Sequence, residues 1–282
     1  MRPVSVIISV FNRLDYLEKA LLSVSYQSLI PDEVVICDDG SEEPIVDFVK
    51  NRASEFPFKL KLVRQSDKGF RLARCKNNGI RAARNDFLVF WDQDVVGTHD
   101  YLQTYFENRR PGFFIVSYPV RLTPYQTGQI TAEDIKKGTF DHLITKAQIE
   151  KIHRQFRKDR FYFYLRKLVL PKDTRPKLRG GVFAAFKDDL LKVNGFDENY
   201  RGWGNEDDDL GRRLYAAGVV GFNPFYDQFP LHLYHAPHHV NGKRTNQEYY
   251  GKRKKEIASG HYRAEFGIDR SRDDDPVEIL EF

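Results

Sequence analysis

Across its first hundred residues the chain repeats one unit three times, a short apolar run, a polar segment and a helix, and then adds a fourth run. Val4–Val10 is continuous and rich in β-branched residues, as a strand buried on both faces requires. Leu14, Leu17, Ala20, Leu21 and Val24 then recur at helical spacing. Glu33–Cys37, Leu60–Val63 and Asp86–Trp91 read as further strands, with helices over residues 43–54 and 72–83 between them. Such alternation points to an α/β fold, a Rossmann-like, mainly parallel sheet flanked by helices. In open sheets of this kind ligands bind beyond the carboxyl ends of the strands. Asn12-Arg13, Asp38-Asp39-Gly40-Ser41 and Asp92-Gln93-Asp94 fall at three of those ends, so the site is expected there.

The remainder is less regular. A short helix is expected over residues 101–106, strands over 113–120 and 178–186, and a helix over 188–193 stopped by Asn194-Gly195. Between them, residues at about 131–177 read as a basic helical insertion. From Lys136 to Arg179 there are fourteen Lys/Arg against four Asp/Glu, and Lys252-Arg253-Lys254-Lys255 forms a second cluster. Patches like these suit a phosphate-rich partner or an anionic membrane surface, and equally a solvated helix face. The division expected is a single domain over 1–270. It comprises a nucleotide-binding half (1–100), an acceptor and catalytic half (101–240) and a C-terminal helical segment (241–270), with 271–282 as a flexible tail. No apolar run reaches the eighteen or so residues of a bilayer-spanning helix. Cys37 and Cys75 are too few for a disulfide framework, which fits a reducing, cytoplasmic setting.

Several polar strings carry chemistry. Asp92 and Asp94 lie two apart after an apolar strand, so in extended geometry both carboxylates face one side and can approach one cation. Asp38 or Asp39 can accept from a nucleobase or ribose, or simply shape an Asp-Gly turn. Glu206-Asp207-Asp208-Asp209 opens a helix whose dipole favours negative charge. That does not account for Gly202-Trp203-Gly204 before it, where the glycines allow close approach and the indole offers a stacking platform. One imidazole of His232-Leu233-Tyr234-His235-Ala236-Pro237-His238-His239 can complete a cation site with Asp94. The string lacks the Glu of a zinc-protease helix. Arg71 and Arg74 open a helix where cations oppose the dipole, a pattern that binding of an anion would explain.

In order and spacing, Val6–Asn12, Asp38–Ser41, Gly69–Arg74, Asp92–Asp94, Val193–Glu198, Gly202–Asp207 and His232-x-x-His235 resemble family 2 glycosyltransferases. The second half is similar to the region shared by β-1,4-galactosyltransferases and chondroitin-polymerase-type enzymes. The resemblance covers residues 4–240 and implies the GT-A fold, inversion at the anomeric carbon, and a UDP-sugar donor held through Mn²⁺ or Mg²⁺. By position it implies a donor side of Val10, Asn12, Asp38, Asp39, Arg71, Arg74, Asp92 and Gln93. Asp94 and His235 become metal ligands, with His232 the weaker candidate. Asp207 becomes the general base, and Trp203, Gly204 and Glu206 line the sugar or acceptor site. Asn205 replaces the Gly or Arg usual before Glu206. The expected enzyme is a hexosyl- or N-acetylhexosaminyltransferase acting on a glycan or glycolipid in bacterial surface polysaccharide or lipopolysaccharide assembly. It would work in the cytoplasm or at the inner face of the cytoplasmic membrane.

Two other functions fit parts of the pattern. A sugar-nucleotide nucleotidyltransferase shares the fold but needs a Gly-rich triphosphate loop after the first strand, where this chain has Asn12-Arg13-Leu14-Asp15. A non-catalytic polyanion binder would suit the pI near 9.0, but the acidic cluster interrupts any continuous basic groove, and no nucleic acid partner is expected.

Overall fold

The computed structural model describes residues 3–168, 174–236 and 245–282. Its first half follows the repeat in the sequence: β1 (Ser5–Val10), α1 (Leu14–Ser25), β2 (Glu33–Asp38), α2 (Ile45–Arg52), β3 (Lys59–Gln65), α3 (Leu72–Ala82) and β4 (Phe87–Asp92). β1 pairs in parallel with both β2 and β4, and β2 with β3. The register sets Val10 opposite Asp38 and Ser9 opposite Asp92, so three polar loops leave the sheet side by side.

Beyond β4 come β5 (Val95–Val96), α4 (Tyr101–Glu107), β6 (Phe113–Val116) and β7 (Val120–Arg121). The single strand expected over 113–120 is thus two strands in two sheets. The insertion is three helices, α5 (Pro124–Gly128), α6 (Ala132–Lys137) and α7 (Lys146–Leu168), and begins before residue 131. Part of its expected span, 169–173, lies outside the described residues, as do His238 and His239. Then follow β8 (Val182–Phe186), α8 (Lys187–Lys192), α9 (Glu206–Ala216), β9 (Val220–Phe222), β10 (Leu231–His232), α10 (Gln247–Ala258) and β11 (Val277–Glu281).

The large sheet is mixed and runs β11-β3-β2-β1-β4-β8-β6-β9; a small sheet runs β5-β10-β7. Both faces of the large sheet are covered. Val6, Ile8, Val34, Ile36, Val89 and Trp91 point into one core, while the alternating Ile7, Val35, Cys37, Leu88 and Phe90 point into the other. This two-sided burial is why the strands read as continuous apolar runs. α3 fits against the sheet only because residue 79 is glycine; a Cβ there would lie 2.4 Å from Cys37 Sγ and 2.8 Å from Ile7 Cγ2.

The C-terminal segment departs from expectation. Residues 277–281 are not a flexible tail but pair antiparallel with β3, Ile279 opposite Val63. The pairing covers what would otherwise be an open sheet edge.

Candidate active site

The small sheet builds the first half of the site. β10 pairs antiparallel with β5, His232 opposite Val95, and Leu233 N–H donates to the Asp94 carbonyl at 2.8 Å. That register brings both imidazoles to Asp94. His235 Nε2 lies 3.0 Å from Asp94 Oδ2, and His232 Nε2 lies 3.7 Å from Oδ1. One ligand atom from each of the three residues falls within 4.8 Å of the others. His235 Nδ1 faces the Ala236 carbonyl at 3.0 Å, which leaves Nε2 turned inward. Asp94 Oδ1 is buried without a hydrogen-bond partner among the described residues, so the cluster has an unused lone pair where a cation would sit. Two imidazoles and a carboxylate suit a divalent first-row ion. His232, the weaker candidate by resemblance, thus stands with the other two. Its signal lay in the register of a two-residue strand.

A second cluster joins Asp92 to the N-terminus of α9. Ser9 Oγ donates to Asp92 Oδ1 at 2.8 Å, and Lys76 Nζ lies 3.0 Å from the same oxygen. Lys76 comes from the buried face of α3 and is 3% exposed. Burial opposes its charge, but Asp92, and then Glu206 and Asp207, hold the ammonium ionised above its ordinary range. Asp207 accepts from the backbone N–H groups of Gly180 and Asp208, the latter at 2.8 Å. Gly180 and Gly181 separate Asp207 from Asp92. A Cβ on Gly180 would come within 3.3 Å of Asp207 Oδ2, and one on Gly181 within 3.9 Å of Asp92 Oδ2. Gly181 also sits at φ +112°, which side chains rarely adopt.

The two acids at the start of α9 titrate high. Burial, reinforced by Asp207, raises Glu206 to about 7. Burial also raises Asp207, against the pull of the Gly180 and Asp208 amides. Glu206 Oε2 is buried with no hydrogen-bond partner among the described residues. Glu206, held this way, can take up and release a proton near neutral pH. Asp208 and Asp209 are spent otherwise: Asp208 on Arg212 and Tyr250, Asp209 on Arg213 in a fully buried ion pair. Gly202-Trp203-Gly204 forms a turn whose carbonyls at 202 and 204 both accept from Asn246 Nδ2 at 3.2 Å, leaving Trp203 half-buried beside α9.

The donor-side residues divide. Asp39 is buried and its two oxygens accept from Gln65 Nε2 (2.5 Å) and Arg71 N–H (2.9 Å). Burial outweighs those donors and raises its carboxyl to about 6. Asp38 is a different case: it is fully buried, accepts twice from Ser41 and pairs with Arg64, so it shapes the turn rather than facing a ligand. Asn12 also builds the loop, accepting from the Glu42 and Glu43 amides, and Gln93 bonds to both backbone groups of Phe11. Val10 accepts from Asp39 N–H through its carbonyl. Arg71 and Arg74 do not open onto a ligand. Both guanidiniums are buried against Asp273 and Asp275, within the segment expected to be a flexible tail.

A mixed, mainly parallel sheet with acids at its strand ends and a histidine-carboxylate cluster beside them is the architecture of the GT-A fold class. Residues 5–171 match glycosyl transferase family 2, and residues 165–239 match the N-terminal domain of galactosyltransferase. The chain belongs to glycosyltransferase family 2. It is 29% identical over 76% of its length to validoxylamine A glucosyltransferase of Streptomyces hygroscopicus subsp. limoneus, covering 48% of that protein. It is 28% identical over 80% of its length to chondroitin synthase of Pasteurella multocida, covering 25% of it. The chain thus spans from a quarter to about half the length of these relatives. Among solved structures, residues 1–349 of S. aureus TarS with UDP-GlcNAc align over 95% of this chain and 68% of that one, at TM-score 0.61 and 15% identity. The Pyrobaculum calidifontis mannosyltransferase PcManGT with GDP-Man and Mn²⁺ aligns over 92% of this chain and 62% of that one, at TM-score 0.55 and 19% identity.

Proposed function

We propose that the protein is an inverting, metal-assisted transferase that moves a sugar from a UDP-sugar to an acceptor hydroxyl. The observation that carries this reading is the placement of two clusters at one sheet edge. Asp94, His232 and His235 converge on one point, whereas Asp92, which the Asp-x-Asp spacing puts on the same cation, turns to Ser9 and Lys76 instead and shares Lys76 with the Glu206–Asp207 pair. Mn²⁺ or Mg²⁺ held by Asp94, His235 and His232 would neutralise the diphosphate charge that grows as UDP leaves. Asp39 accepts from the uracil ring. Asp92 orients a ribose or sugar hydroxyl, and Lys76 fixes its carboxylate. Asp207 removes the acceptor proton as the acceptor oxygen bonds to the anomeric carbon and the bond to UDP breaks on the opposite face. Glu206 and Trp203 hold the sugar or acceptor, with the turn at Gly204 admitting it.

A hexose or N-acetylhexosamine donor is supported by likeness to a glucosyltransferase and a chondroitin synthase, and the acceptor proposed is a glycan or glycolipid of surface polysaccharide or lipopolysaccharide assembly. Membrane association rests on one face of α7. Lys151, Arg154, Arg157, Lys158, Phe161 and Tyr164 are exposed at helical spacing, and this basic face with two aromatics would suit electrostatic docking on an anionic bilayer surface. No helix among the described residues is long and apolar enough to cross a membrane.

The test is turnover of a nucleotide-sugar panel, including GDP-mannose, with and without Mn²⁺, scored for the released nucleotide. UDP release that needs Mn²⁺ is expected. Pyrophosphate release from UTP and a sugar phosphate would replace this reading with nucleotidyl transfer. Salt-sensitive polyanion binding without nucleotide affinity would replace it with a binding protein. Flotation with phosphatidylglycerol vesicles at low salt tests the α7 face, and absence of co-flotation would remove the membrane role.

A further inference from the structure

Residues 271–275, just before β11, cross the N-terminus of α3 as an acidic strap. Asp275 is its hub. It lies 2.9 Å from Arg71 Nη1, 3.1 Å from Arg74 Nη1 and 3.4 Å from Lys68 Nζ, and accepts from Ser66 Oγ at 2.8 Å. Its backbone carbonyl accepts from Arg74 Nη2 at 2.7 Å. Asp273 joins Arg71 at 2.9 Å and also pairs with Arg201, while Ser271 accepts from Arg74 Nε at 3.0 Å. The side chains of Arg71, Arg74 and Asp275 are all at least 94% buried.

The two arginines lead directly to Asp39. The backbone N–H of Arg71 donates to Asp39 Oδ2. Arg74 Nη1 donates to Gln65 Oε1 at 3.2 Å, and the other end of that amide, Nε2, donates to Asp39 Oδ1. Arg74 thereby fixes which way the Gln65 amide faces. Asp39 is thus held by two donors, each anchored through an arginine to the strap.

We propose that the strap, through Asp275, Arg71 and Arg74, is a positioning element of the nucleotide site that sets the orientation of Asp39. This rests on the assignment of Asp39 to the nucleobase, and none of the strap residues need touch the nucleotide. A contact to the base is made equally in the ground and transition states, so its loss raises KM and leaves kcat nearly unchanged.

The experiment measures UDP affinity with Mn²⁺, and KM and kcat for the active nucleotide-sugar, in Asp275→Asn and Arg71→Lys. Arg71→Lys keeps the charge and the backbone N–H but loses the two-pronged grip on the strap. Both variants are expected to bind UDP about tenfold more weakly, with kcat within about threefold of wild type. Arg263→Ala, which removes the exposed pair with Asp269 and a 3.4 Å bond to the Leu191 carbonyl, is the control for a purely structural loss and keeps wild-type affinity. Reciprocity supplies a readout on the unaltered protein: if the strap favours UDP, UDP must favour the strap. Hydrogen exchange across residues 271–281 is therefore expected to slow about tenfold with UDP and Mn²⁺. Wild-type UDP affinity in both variants, or unchanged exchange in 271–281 when UDP is bound, overturns the proposal while leaving the donor assignment intact. A wild-type protein that does not bind UDP overturns both.

Discussion

Replacing Lys76 by methionine isolates the electrostatics of the site. The ammonium is 3.0 Å from Asp92 Oδ1, is almost wholly buried, and faces Glu206 and Asp207 as well. Breaking a buried ion pair by removing one partner costs about 3–5 kcal/mol. Asp92 keeps Ser9 as a donor and its side chain is 25% exposed, which reduces the figure to about 2–3 kcal/mol at pH 8. At roughly 2–4 °C per kcal/mol for a chain of this size, the melting temperature should fall by about 4–12 °C. The loss should depend on pH. Glu206 and Asp207 already have raised pKa values, and without the cation they rise further. A carboxyl group raised in the folded state stabilises the protein while protonated and loses that stability as pH climbs through its folded value. Calorimetry should therefore show a markedly smaller loss at pH 5.5 than at pH 8. An equal loss at both would mean that methionine disturbs packing alone and that Lys76 is not the shared counter-charge.

Asp207→Asn should lower kcat about 10²–10⁴-fold while UDP affinity stays within about threefold, measured by turnover and titration calorimetry. Its amide nitrogen must also face one of the two N–H donors now on the carboxylate, costing about 1–3 kcal/mol in thermal unfolding. Glu206→Gln removes a group raised to about 7, so its stability relative to wild type should improve by about 2 kcal/mol between pH 5 and pH 8 in denaturant titrations. Gly79→Ala should destabilise by about 1–3 kcal/mol in thermal unfolding, because its methyl meets Cys37 and Ile7 in the core.

The parallel strands and their polar ends were legible because burial on both faces writes itself as unbroken apolar runs, and because the acids follow those runs directly. Asp92 and Asp94 stand out as candidates in the same way, and Asp207 and His235 through their acidic and histidine strings. Lys76 could not, since a lysine in a polar helix looks like any solvated cation until Asp92, Glu206 and Asp207 are brought around it. The strap was misread for the matching reason. A run such as Asp273-Asp274-Asp275 suggests a flexible tail by composition, and its partners, Arg71 and Arg74, lie some two hundred residues earlier. Arg71 and Arg74 did signal an anion, and that anion proves to be part of the same chain. His232 depended on strand register, which sequence pattern does not resolve over two residues.

Manganese binding tests the account most directly. Titration of Mn²⁺ followed by electron paramagnetic resonance, with UDP present, should show one tight site in the wild-type protein. That site should be lost in Asp94→Ala and weakened at least tenfold in His235→Ala. Equal Mn²⁺ uptake by the wild type and Asp94→Ala would contradict the site assigned to Asp94, His232 and His235.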